Sequence, residues 1–86
     1  MFIEKRINNL EWEELSEVNT GDTFVIQNIS DDKVSYCVSD TKPNKNVHGR
    51  VLLPYKELTF KKATGLLWIK QHGDQDSYIH AECLEV

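Results

Sequence analysis

The 86-residue sequence is poor in several residue types on which small proteins often rely. It has two cysteines, which cannot build the disulfide framework of a small secreted domain, so we expect free thiols. Its apolar runs are short, as in Val51-Leu52-Leu53, and this predicts no membrane span. No apolar stretch follows the charged residues of the N-terminus, so we expect no signal peptide and synthesis in the cytoplasm.

What the sequence does contain suits one small folded domain over residues 1–86. Hydrophobic residues make up 40% of the chain and charged residues 28%, which are values of ordinary globular proteins and argue against disorder. A chain of this length forms one domain and buries roughly 64% of its surface, so its core is small.

Charge is distributed in three blocks. Residues 1–32 hold eight acids and two bases, residues 33–62 hold seven bases and two acids, and residues 63–86 hold four acids and one base. The blocks either neutralise one another within the fold or meet between copies or partners. A nucleic-acid surface is disfavoured, because acidic flanks surround the bases and the net charge is -4.

Alternation of apolar and polar residues predicts strands along most of the chain. We expect an all-β fold, a small antiparallel β-sandwich or barrel of six to eight short strands. The segment Asn9–Val18 is either one short helix or includes Trp12 in an edge strand. The clearest strands are Thr23–Ser30, Val34–Ser39, Leu66–Gln71 and Ser77–Val86, with shorter ones near 50–53 and 57–61.

Finer details also follow from the pattern. Asp31-Asp32-Lys33 predicts a hairpin between the first two clear strands, and residues 72–76 predict another. The apolar periodicity slips at Cys83 and Leu84, which predicts a β-bulge there. The expected core consists of Phe24, Ile26, Val34, Tyr36, Val38, Val51, Leu53, Leu58, Phe60, Leu67, Ile69 and Ile79.

No arrangement of residues predicts catalysis or a cofactor. His80 and Cys83 lie three apart on a predicted strand and so face opposite sides, which argues against a shared zinc ion. Cys37, His72 and Asp74 are a chance trio without any recognisable motif around them. We therefore expect no enzyme activity, no metal and no cofactor, with Cys37 and Cys83 reduced and partly buried.

An extended pattern is more specific than any short motif. It comprises Glu11-Trp12, a strand ending in Gln27-Asn28, the turn Leu53-Pro54-Tyr55-Lys56-Glu57 and the strand Gly65 to Lys70. This pattern resembles small virion structural proteins of tailed phages and prophages, such as tail-knob, head-fibre and decoration components. The glycine that the family carries in its Pro-Gly turn is absent here. The resemblance implies a non-enzymatic β-sandwich in the virion that assembles as a homo-oligomer, often a trimer, and contacts other virion proteins.

Self-association also follows from the residues themselves. Phe24–Ile29 and Leu66–Ile69 are apolar on both faces, so a two-layer domain leaves one face of each strand to be covered. The cover is either the segment around Trp12 and Leu15 or another subunit.

A small protein- or nucleic-acid-binding β-barrel is the alternative function. The residues expected to take part in interactions are Trp12, Leu15, Lys42, Lys45, Arg50, Tyr55 and Trp68.

Overall fold

A computed structural model describes residues 2–16, 23–61, 66–73 and 75–84 of the chain. Over these residues it is all-β, with eight strands and no helix, which confirms the predicted fold class. The strands are β1 (Phe2–Ile7), β2 (Glu13–Glu14), β3 (Thr23–Asn28), β4 (Val34–Ser39), β5 (Arg50–Leu52), β6 (Glu57–Lys61), β7 (Leu66–Gln71) and β8 (Ser77–Leu84).

The described strands form two four-stranded antiparallel sheets, an arrangement consistent with a small β-sandwich. The first sheet has the order β1-β8-β3-β6 and the second has the order β2-β7-β4-β5. Apolar side chains from both sheets meet in one core, as alternation predicts for strands with one buried face.

Both predicted hairpins are wrong. β3 and β4 belong to different sheets, as do β7 and β8, so the turns after Asn28 and Gln71 carry the chain across the sandwich. Turn-forming residues indicate a change of direction, but they do not say whether the next strand pairs with the last one. Asn28 helps to make the first crossing, because its side-chain amide donates to the carbonyls of Asp32 and Leu52 at 2.6 and 3.1 Å.

The predicted bulge in the last strand is also wrong over the described residues. β8 pairs with β3 in an unbroken register from Ile79 opposite Asn28 to Leu84 opposite Thr23. At the other end of the chain, no helix forms over residues 9–16, and Trp12 directly precedes the two-residue edge strand β2 instead of lying in it. Residues 17 and 18 of the possible helix lie outside the described residues.

The core prediction was right for six side chains and wrong for three. Phe24, Ile26, Val34, Leu67, Ile69 and Ile79 are buried, while Tyr36 and Leu58 are partly buried against them. Val51 and Leu53 are exposed because Leu52 is the residue of β5 that faces the core, and Val38 is exposed near the end of β4, beyond the residues that pair with β5. The Phe60 side chain lies outside the described part of the structure. Buried apolar side chains absent from the prediction are Ile7, Trp12, Leu15, Leu52, Trp68 and Ala81.

Candidate interaction surfaces

Three of the seven predicted interaction residues are buried within the single chain. Leu15 is part of the core between the sheets, where its backbone N–H donates to the Leu67 carbonyl at 2.8 Å. Trp68 lies on the outer side of the second sheet, and its indole N–H donates to the Ser39 carbonyl at 3.0 Å. Trp12 is 2% exposed. These side chains therefore stabilise the fold and offer no surface to a partner.

Trp12 is covered by the chain's own loop rather than by another subunit. Its indole N–H donates to the Asn44 carbonyl at 3.2 Å, and the Lys70 ammonium lies 4.6 Å from the centre of its ring. The same ammonium donates to the carbonyls of Lys45 and Val47 at 3.0 and 3.1 Å. The loop before β5 therefore covers Trp12 and reaches Lys70 on the outer side of the second sheet, whereas the intramolecular alternative had Trp12 and Leu15 as the cover and Leu15 lies in the core.

The other four predicted residues are exposed and belong to one continuous piece of chain, residues 42–56, which we call the basic segment. It carries four bases and no acid. Lys42 lies 3.5 Å from Glu11, and the other bases are Lys45, Arg50 and Lys56. The basic segment also exposes four large apolar or aromatic side chains, which are Val47, Val51, Leu53 and Tyr55. Positive charge and exposed apolar area therefore coincide there.

A second surface, the acidic face, is the outer side of β1 and β8 in the first sheet. Phe2 stacks on His80, with the ring centres 5.3 Å apart. Glu4 reaches His80 Nδ1 at 3.2 Å, while the carboxylate of Glu82 lies 3.8 Å from the other ring nitrogen. Tyr78 is exposed on the same side. The acidic face therefore combines two exposed aromatic rings with two carboxylates.

Arg6 belongs to the same side of β1, opposite Tyr78 in the register. Its guanidinium donates to the carboxylate of Asp76 from Nε at 2.8 Å. The hydrogen bond and the charge of Asp76 raise the pKa of Arg6 above its ordinary value. Because this cation already has a carboxylate partner, Glu4 and Glu82 determine the sign of the acidic face among its described side chains.

Tyr55 has the most unusual backbone of the basic segment. It follows Pro54 with φ of 59°, and the Lys56 N–H donates back to the Leu53 carbonyl at 3.1 Å. This is the third position of a tight turn that normally holds glycine, and it is also where the resembled family has its glycine. The Tyr55 hydroxyl donates to Asp31 at 2.8 Å, and the Gln27 amide donates to the Tyr55 carbonyl at 3.3 Å. These bonds fix the ring at the surface in a backbone conformation that tyrosine rarely adopts.

The Tyr55–Asp31 contact leads to a prediction on pH. Its hydrogen bond and the charge of Asp31 raise the pKa of Tyr55 above the ordinary value of 10.0. The contact should contribute to stability below the unfolded pKa and be lost as pH rises through the folded one. Replacement Asp31→Asn should lower the pKa of Tyr55, which absorbance titration of the phenolate detects. Asp40→Asn, an exposed change in another loop, is the matched control, and an equal response in both variants would contradict the assignment.

The candidate metal ligands His80 and Cys83 do not face the same side of their strand. His80 lies on the acidic face, whereas Cys83 is on the opposite side of the same strand, next to Phe24 in the register. Cys37 and Cys83 are free and partly buried, as predicted, and they lie in different sheets. Among the described residues, no group of three His, Cys, Asp or Glu side chains is placed to hold a metal ion. His72 Nδ1 lies 2.8 Å from the hydroxyl of Ser35, and Asp74 lies outside the described residues.

An open cavity of about 360 Å³ lies beside the basic segment. The last residue of β4 that pairs with β5 is Tyr36, opposite Arg50, so residues 37–39 of β4 have no β5 partner. The cavity begins beside these residues. Its lining is Tyr36, Cys37, Val38, Gly49 and Arg50. The cavity adds the exposed Val38 side chain to the apolar area next to the basic segment.

Sequence reasoning found the basic segment and missed the acidic face. The charge distribution reveals the acidic N-terminal block, but it does not identify Phe2 and Tyr78 as surface residues beside it. The alternation of Phe2, Glu4 and Arg6 against Ile3 and Ile7 was the available signal. Pairing of β1 with β8 then brings the two ends of the chain together on one side.

No family model, no curated protein and no solved structure matches the chain. Within the described residues there is also no helix with the length and hydrophobicity needed to span a membrane.

Proposed function

We propose that this protein is a non-enzymatic structural or assembly component of a tailed-phage virion, which acts by self-association and by contacts with other virion proteins. The observation that carries the proposal is the distribution of exposed apolar residues. Of the eight large ones on the described surface, four lie in the basic segment and two on the acidic face. Exposed aromatic and apolar side chains beside charge of one sign are typical of protein-binding surfaces.

The resemblance to virion proteins supplies the context for these surfaces. Three residues of the pattern that resembles virion proteins have structural roles in the fold. Trp12 is buried under the loop before β5, Asn28 lies where the chain crosses from the first sheet to the second, and Pro54 lies in the turn before β6. None of the three contributes to a catalytic arrangement. These three residues maintain the scaffold, so the proposed function rests on the surfaces that the scaffold presents.

Mass spectrometry of purified phage particles tests this function directly. Particles from a producing strain are banded by density, and the copy number of this chain is compared with that of the major capsid protein. We expect several copies per particle that remain after a high-salt wash. An abundant cytoplasmic protein of similar size measures carry-over, and recovery of this chain at no more than that level would overturn the proposal.

Nucleic-acid binding is a second candidate, favoured by the four bases of the basic segment. Trp68 is buried, however, and is not available as a surface on which bases could stack. Filter binding of single- and double-stranded DNA at low salt distinguishes the two functions. We expect no retention, whereas retention that falls steeply with added salt would favour this second candidate.

A further inference from the structure

We propose that the acidic face of one copy binds the basic segment of the next copy, so that the chain assembles head to tail. This inference rests on the proposed self-association and specifies the two surfaces that carry it. Each copy presents one surface of each kind. The partner for each surface is therefore present at the same concentration as the protein itself.

The charges of the two surfaces favour a contact between an acidic face and a basic segment over a contact between two copies of the same surface. A symmetric pairing of two acidic faces would place Glu4 and Glu82 of one copy near the same carboxylates of its partner. A symmetric pairing of two basic segments would do the same with Lys45, whose carbonyl accepts from Lys70 in the same outer row of the second sheet as Val51. Like charges in an interface are strongly unfavourable, whereas the head-to-tail contact brings opposite charges together.

The apolar groups match in the same way. Phe2 is 61% exposed and Tyr78 is 46% exposed on the acidic face, and Leu53 is 48% exposed in the basic segment. In a head-to-tail contact the aromatic rings pack against Leu53 and Val51. Carboxylates and bases surround them as a polar rim, which is the usual arrangement of a protein interface.

The positions of the surfaces allow each copy to bind two neighbours at once. The acidic face is the outer side of the first sheet, while Val51 is on the outer side of the second sheet, opposite Ser35 in the register. An interface between unlike surfaces closes into a ring if its rotation allows and otherwise continues as a filament. A three-copy ring is the size that the resemblance implies.

Two variants, each of which disrupts one surface, test the mode of binding. Phe2→Ser removes the most exposed aromatic ring of the acidic face without adding charge, and Leu53→Asp places a negative charge in the basic segment, where it repels Glu4 and Glu82 of the next copy. We expect the wild type to assemble and each variant alone to sediment as a single chain. A mixture of the two should form a complex of two chains, because one intact acidic face and one intact basic segment remain. The readouts are analytical ultracentrifugation and native mass spectrometry, with circular dichroism to verify folding.

Leu10→Asp is the matched control, because Leu10 is 66% exposed and lies on neither surface. It should assemble like the wild type. Wild-type assembly that both variants retain would overturn the head-to-tail contact and leave the proposed function standing. The head-to-tail contact would also be overturned if each variant alone sediments as a single chain and the mixture of the two forms no two-chain complex. A wild type that stays a single chain at every concentration would overturn it too, and the copy number in particles would still decide the function separately.

Discussion

Replacing Gly49 with alanine is expected to lower the free energy of unfolding by about 3 kcal/mol, as the sum of left-handed backbone strain and overpacking. Gly49 has φ of 68°, where an added side chain is strained. A methyl carbon there would lie 2.6 Å from the Tyr36 carbonyl oxygen and 2.7 Å from the nearest ring carbon of Trp12. Neither neighbour moves easily, because Tyr36 is in β4 and Trp12 is buried and hydrogen-bonded. Urea denaturation followed by circular dichroism measures the loss.

Gly73→Ala provides the matched control for this prediction. The added methyl carbon would lie 2.9 Å from a carboxylate oxygen of Asp32, which is the free end of a flexible side chain. We therefore expect a loss of no more than about 1 kcal/mol, as for most surface changes. Equal losses in the two variants would mean that the loop does not press Gly49 against Trp12.

The strands could be predicted from the sequence, but their pairing could not. Alternation of side chains is a local property, so Val34–Ser39 was predicted with its observed bounds. Whether a turn closes a hairpin or crosses between sheets depends on distant contacts. The turn after Asn28 crosses because the side chain of Asn28 bonds to Leu52, 24 residues later, and no local pattern reveals that contact.

Two of the three errors in the core, Val51 and Leu53, have a common physical origin in the short strand β5. A three-residue strand contains too little alternation to fix which side faces inward, and a shift of one residue reverses it. Val51 and Leu53 were assigned to the core, whereas Leu52 occupies it. Their exposure is also what makes the basic segment apolar. The same one-residue shift therefore changed both the predicted core and the predicted surface.

For the candidate surfaces, charge could be predicted better than burial. The bases of residues 42–56 were identified because they are consecutive in the sequence. Trp12 was expected either to contact a partner or to cover its own sheet, and in the structure it is buried between Lys70 and the loop at Asn44. The acidic face escaped prediction because it is assembled from the two ends of the chain, Phe2–Ile7 and Ser77–Leu84.

Asn28 is a polar residue on an otherwise apolar inward row, and it is fully buried. Its amide N–H groups donate to Asp32 and Leu52, and its carbonyl oxygen accepts from the backbone N–H and the hydroxyl of Ser30 at 3.0 and 2.6 Å. Its backbone N–H donates to the Lys56 carbonyl at 3.1 Å. One side chain thus joins the end of β3 to its turn and to β5 in the opposite sheet.

Replacing Asn28 with alanine is expected to cost about 3 kcal/mol of unfolding free energy, because buried groups of Ser30 and Leu52 lose their partner. Urea denaturation measures the loss, and the exposed change Asn46→Ala should stay within about 0.5 kcal/mol. Asn28→Asp separates hydrogen bonding from size. Its carboxylate would face two carbonyl oxygens, so burial and repulsion should raise its pKa and make this variant more stable in mild acid than at neutral pH, relative to wild type. If Asn28→Ala unfolds at the same urea concentration as Asn46→Ala, the Asn28 hydrogen bonds do not hold the two sheets together.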